Sequence, residues 1–178
     1  MSIFGTSKKK ILKKRQALCS EAEVFTQVHY VREHNSTKNK FNTLPLKDDP
    51  DRAACLEWYE KHGNPTTFSA ITQAYLKESK LDSKTICEKY ALDSDYFKKL
   101  ENNPTYHPGK GEAISLSMAF RLNFQEAKLY LKSADHPMTN SNKADLIVRF
   151  FLDKNEYNIT DLNYVLKHFE LPTLKDMQ

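Results

Sequence analysis

From residue 66 onward, apolar residues return every three or four positions in short runs broken by polar stretches, a pattern that predicts consecutive amphipathic helices. TTFSAITQAYLKESK sets Phe68, Ile71, Tyr75 and Leu76 on one face, SKTICEKYAL sets Ile86, Cys87 and Tyr90, and SDYFKKLENN sets Phe97 and Leu100. GKGEAISLSMAFRL differs, because Ala113, Ile114, Leu116, Met118, Ala119 and Leu122 make it apolar nearly all round. Such a helix belongs at the centre of a core. NFQEAKLYLKSA, SNKADLIVRFFLDKN and ITDLNYVLKHFEL follow, with Asn140 or Ser141 and then Thr160 as capping candidates for the last two.

The first third reads differently. Residues 1–20 have the composition of a basic arm with a frayed helix from Lys8 to Leu18, and EAEVFTQVHYVREH spaces Val24, Val28 and Val31 as a separate short helix. TLPLKDDPDR is a loop, and Asp51 is the N-cap expected for DRAACLEWYEKHG, where Ala54, Cys55, Trp58 and Tyr59 share a side. Gly63 and Pro65 end that helix. Trp58, Tyr59 and Tyr75 are expected to clamp the N-terminal helix on the bundle by core packing.

Length and composition narrow the class. A chain of 178 residues suits one main core with an appendage, divided here into residues 1–65, a basic arm with short helices, and residues 66–178, the helical domain. Four glycines and almost no strand-forming runs point to an all-α helical bundle whose reversals are made by Asn, Asp and Pro. Three widely spaced cysteines, Cys19, Cys55 and Cys87, fit reduced thiols. The chain has neither an apolar run long enough to span a bilayer nor a secretory signal, so cytoplasm is the expected compartment and no membrane partner is expected. No fixed-period repeat is visible, which argues against a solenoid.

Charge is uneven. Residues 1–47 hold ten Lys and Arg against three Glu, a net +7, whereas residues 66–178 hold fifteen of each sign. A polyanion would meet the N-terminal segment first.

Within TICEKYALDSDYFKKLENNPTYHPGKGEAISLSMAFRLNFQEAKLYL, two short helices with a brief connection precede the apolar helix. This region, counted from Thr66 to Leu131, resembles the lambda-repressor and Cro type of helix-turn-helix domain, with YFKKLENN similar to the end of its recognition helix and AISLSMAFRLNFQEA to its fourth helix. The resemblance implies a helix starting near Ser94 that enters the major groove of double-stranded DNA. It places Ser94, Asp95 and Lys99 at base-reading positions, Lys98 on the same outward face, Ser83 at a phosphate contact, and Glu101 as the structural acid near the helix end. Lys110, in the loop with Tyr106 and His107, could meet a phosphate. The arm residues Lys8, Lys9, Lys10, Lys13, Lys14 and Arg15 resemble the lysine-rich arms of such repressors. Six neutralised phosphates would give a salt slope of roughly −5. The chain departs from the family in carrying Ala91 where the turn usually has Gly, and in Asp95, whose carboxylate can accept from cytosine but is repelled by phosphates. For Tyr96, a groove contact, a partner contact and a half-buried edge all remain open.

A second resemblance runs from YHPGKGEAIS through KADLIVRFFL to ITDLNYVLKHFELP, which is similar to a helical module at the C-terminal end of larger bacterial signalling or phage-defence-type proteins.

Other chemistry is thin. His29, His34, Cys55 and His62 lack the spacing of a zinc site, Asp48, Asp49 and Asp51 read as loop and capping acids, and Cys87 reads as a small buried hydrophobe. No metal, cofactor or enzymatic activity is expected. Two functions follow. One is a DNA-binding transcriptional regulator working as a homodimer. The other is a protein-interaction or adaptor module that docks a partner through the final helices, SNKADLIVRFFLDKN and ITDLNYVLKHFEL, or through the neutral face, motivated by the cancelling charges and by Asp95.

Overall fold

The computed structural model describes residues 3–30, residue 57 and residues 67–177. The expected helix over DRAACLEWYEKHG, with Asp51, Cys55, Trp58 and Tyr59, lies outside the described residues, as do Val31, His34, His62 and the 48–51 acids. Among the described residues the chain is all-helical: α1 (Ile3–His29), α2 (Phe68–Ser79), α3 (Ser83–Tyr90), α4 (Tyr96–Asn102), α5 (Lys110–Ala119), α6 (Phe124–Ser133), α7 (Lys143–Asp153), α8 (Ile159–His168) and a 3-10 turn, Leu174–Asp176.

α5 is the axis of the core, as its all-round apolar sequence predicts. Every residue from Ala113 to Ala119 is buried, and the helix packs against α3, α6 and the C-terminal 3-10 turn. The expected faces of α2, α3 and α4 also turn inward: Phe68, Ile71, Tyr75, Ile86, Cys87, Tyr90, Phe97 and Leu100 are all buried. Two serines on α5 are buried with the apolar residues. Ser117 donates to the Ile114 carbonyl, 2.7 Å away, which removes the cost of burying its hydroxyl.

α1 departs from expectation. Residues 3–29 form one continuous helix, not an arm followed by a separate short helix. Its inward stripe is Leu18, Cys19, Ala22 and Thr26, while Val24 and Val28 stand 61% and 72% exposed. Two stripes of small apolar residues run along this helix, and the one that is buried is the one that meets α7 and α8. There the Phe25 ring lies tilted against Phe150, with ring centroids 5.6 Å apart, and the Arg149 guanidinium lies over both Phe25 and Phe124. Leu18, Cys19 and Ala22 thereby join the same hydrophobic cluster as the later helices.

The helix ends are made unusually. Six non-glycine residues, Lys80, Ala91, Arg121, Asp135, Asn155 and Glu170, hold left-handed φ between 53° and 60°. After five of them the next amide reaches back five residues: Leu92 to Cys87, Leu122 to Ser117, His136 to Leu131, Glu156 to Phe151 and Leu171 to Leu166. This closes the helix with a reverse hydrogen bond and tucks a following side chain, often leucine, onto the last turn. Asn, Asp or Pro stands in each connection from α2 onward, as expected, but of the six left-handed residues only Asp135 and Asn155 are of those types. At the starts, Asn142 caps α7 and Asn158 caps α8, rather than Asn140, Ser141 or Thr160, because each Asn side chain accepts from two backbone amides.

Candidate functional site: the α3–α4 face

α3 and α4 are joined by the five residues 91–95. Ala91 takes the left-handed position and Leu92 folds back onto α3. Ser94 and Asp95 lie in a turn, and α4 starts at Tyr96, two residues later than expected. Tyr96, Phe97 and Leu100 anchor the helix from behind. Ser94, Asp95, Lys98 and Lys99 are exposed, as a contact surface requires. Tyr96 is not available to any partner: it is 1% exposed, packed edge-on against Phe97 and Tyr106. Burial drives its hydroxyl far above the ordinary tyrosine range, and that hydroxyl has no hydrogen-bond partner among the described residues.

The electrostatics of this face are local and self-cancelling. The Lys99 ammonium sits 3.0 Å from Asp93 and 3.1 Å from Asp95, hydrogen bonds that hold it charged well beyond the ordinary lysine range. On α3, Ser83 is half-buried and follows Asp82, whose carboxylate accepts from the Thr85 amide at 3.0 Å. A carboxylate therefore occupies the helix N-terminus where a phosphate beside Ser83 would sit. From Asp82 to Glu101 the exposed side chains include five acids (Asp82, Glu88, Asp93, Asp95, Glu101) and four lysines (Lys84, Lys89, Lys98, Lys99).

Three of the other expected phosphate contacts are engaged inside the fold. Asp161, with its side chain 6% exposed at the start of α8, accepts from Arg15 Nε at 2.8 Å and Lys14 Nζ at 3.0 Å. Lys14 also meets Glu156 at 3.0 Å, and this contact leads the causes that raise its pKa. Burial pushes the Asp161 carboxyl up, but the Arg15 and Lys14 hydrogen bonds and charges outweigh it and hold it below the ordinary carboxylate value. Lys110 pairs with buried Asp145 at 2.6 Å, so it tethers α5 to α7 instead of facing outward. Lys8, Lys9, Lys10 and Lys13 remain exposed along the first half of α1.

His29 stacks on Phe25 with centroids 4.0 Å apart and bonds the Phe25 carbonyl. Among the described residues, no group of three or more His, Cys, Asp or Glu side chains is placed to hold a metal ion. Cys19 and Cys87 are free and buried, and burial raises both thiol pKa values. No helix among the described residues is long and apolar enough to cross a membrane.

No protein-family model matches the chain, and neither does any curated protein or solved structure.

Proposed function

We propose that the protein is an interaction module that docks a protein partner through the exposed face formed by the α3–α4 turn and α4. The observation that carries this reading is the Asp93–Lys99–Asp95 cluster. A groove-binding helix gains most of its affinity from unpaired cations near phosphates, and here the central lysine is shared between two carboxylates on a face with more acids than bases. Such a mixed, mildly acidic surface complements a protein with a basic rim, where charge pairs set orientation and on-rate. The adaptor reading accords with the likeness to C-terminal modules of bacterial signalling or phage-defence-type proteins.

The DNA-binding, helix-turn-helix reading keeps one specific support, the exposed row Lys8, Lys9, Lys10 and Lys13 on α1. With Lys14, Arg15 and Lys110 committed to internal carboxylates, four phosphates is the number to expect from α1, a salt slope of about −4.

Both readings meet in one experiment. Fluorescence anisotropy with random and genomic duplexes at increasing salt is run beside affinity purification from the native host. The adaptor reading expects a stoichiometric protein partner whose binding is lost in Asp95→Lys with Glu101→Lys and retained in Lys9→Glu with Lys13→Glu. Duplex binding with a slope near −4, and selectivity lost in Ser94→Ala with Lys98→Ala, would replace it with the DNA reading.

A further inference from the structure

A cleft of about 470 Å³ opens where the α3–α4 turn, the N-terminal end of α5 and the C-terminal 3-10 turn meet. That volume falls in the range of small-molecule sites. Its walls divide by chemistry. Leu92, Ile159 and Met177 give an apolar side, and Tyr90 and Tyr106 present aromatic rings. Asp93, which also pairs with Lys99, and Glu112 bring two carboxylates, and Lys175 is the lysine among the described lining residues. The Glu112 carboxylate is held in place by the Tyr106 hydroxyl at 3.2 Å and the Gly109 amide at 3.0 Å.

Ser115 adds a polar group to this wall: it is 4% exposed and lines the cleft. Two positions along the same helix, Ser117 satisfies its hydroxyl on the backbone. A serine hydroxyl at the cleft can donate to a ligand that enters.

We propose that this cleft binds a small organic ammonium ion with an apolar body. The cation lies against Asp93 and Glu112, flanked by the Tyr90 and Tyr106 rings, where charge-assisted hydrogen bonds and ring quadrupoles both favour it. The apolar body covers Leu92, Ile159 and Met177, and an acceptor on it reaches Ser115. Asp93 also holds Lys99, 3.0 Å away. An ammonium ion drawing on Asp93 loosens that lysine, so occupancy of the cleft alters the charge of the outer face. Binding itself does not depend on whether that face contacts protein or DNA.

Three probes with the same phenylethyl frame separate charge from shape: phenethylammonium, phenylacetate and 2-phenylethanol, titrated into the full chain and followed by amide chemical shifts. Phenethylammonium should saturate with a Kd on the order of millimolar, shifting the amides of Gly111, Ser115 and Asn163, and phenylacetate should bind at least about tenfold more weakly. Ser115→Ala and Asp93→Asn should each weaken the ammonium probe by about three- to tenfold, a loss of roughly 0.6–1.4 kcal/mol. Asp93 is exposed, so its variant keeps the test valid even where Ser115→Ala unfolds. Equal binding of all three probes, shifts elsewhere, or no saturable shift with any of them overturns the proposal.

Discussion

Replacing Asp161 with asparagine should release α1 from the bundle by a measurable amount. The carboxylate lies at the start of α8 and accepts hydrogen bonds from Arg15 and Lys14 on α1, some 146 residues away in sequence. Removing one partner of a fully buried pair costs about 3–5 kcal/mol because a charge is left stranded. Here the stranded groups keep water, with the Arg15 and Lys14 side chains 24% and 46% exposed, so roughly half of that applies, about 2 kcal/mol. This figure includes the few tenths contributed by an acid in the first turn of α8. For a chain of this length it corresponds to a drop in Tm of about 4–8 °C. The pH dependence is the sharper readout. The folded carboxyl lies below its ordinary 3.8, so the unfolded chain binds its proton more readily. The stability that Asp161 supplies is complete above that ordinary value and fades as pH falls through the lower folded one. Urea denaturation of wild type and Asp161→Asn at pH 7 should therefore differ by about 2 kcal/mol, with the gap closing below pH 4. Amide exchange in residues 14–26 should accelerate in the variant at pH 7. A gap that stays constant from pH 7 to pH 3, or one below about 0.3 kcal/mol throughout, would show that α1 is held by its apolar stripe alone.

Four further substitutions can be checked by the same denaturation measurements. Tyr96→Phe should be neutral or stabilising by up to about 1 kcal/mol, since it deletes a buried hydroxyl with no partner among the described residues, whereas Tyr130→Phe should cost about 1 kcal/mol or more. The difference arises because Thr72 already donates to the Phe68 carbonyl, leaving the Tyr130 hydroxyl, 2.7 Å away, as the donor to Thr72. Ala91→Gly should stabilise by about 0.5–1 kcal/mol, the net of relieving a left-handed alanine and adding unfolded-chain freedom; a loss would mean that the Ala91 methyl makes contacts that outweigh the strain. Gly111→Ala should cost about 2–4 kcal/mol and expose the C-terminal turn to proteases. A methyl there would lie 1.7 Å from the Leu174 carbonyl oxygen, so the turn must lift and give up both Leu174 burial and the Gly111–Met177 hydrogen bond.

The sequence by itself determined the local elements that depend on near neighbours. The 3.6-residue period placed the faces of α2, α3, α4 and α5, and the all-round apolar run identified α5 as the centre, because a helix with no polar side has nowhere else to go. It also raised the conflict between Asp95 and a phosphate backbone, and the structure pairs that carboxylate with Lys99. The helix stops were present too, as Lys80-Leu81, Ala91-Leu92, Arg121-Leu122 and Glu170-Leu171, but with no glycine to mark the left-handed residue they did not read as stops. Only the tertiary structure decided which of α1's two apolar stripes is buried, since both have helical spacing and the choice rests with the surface of α7 and α8. It also decided the fate of the charges. Lys14, Arg15 and Lys110 looked free because ionic attraction acts through space, and their partners Asp161 and Asp145 lie far along the chain and are brought close only by packing.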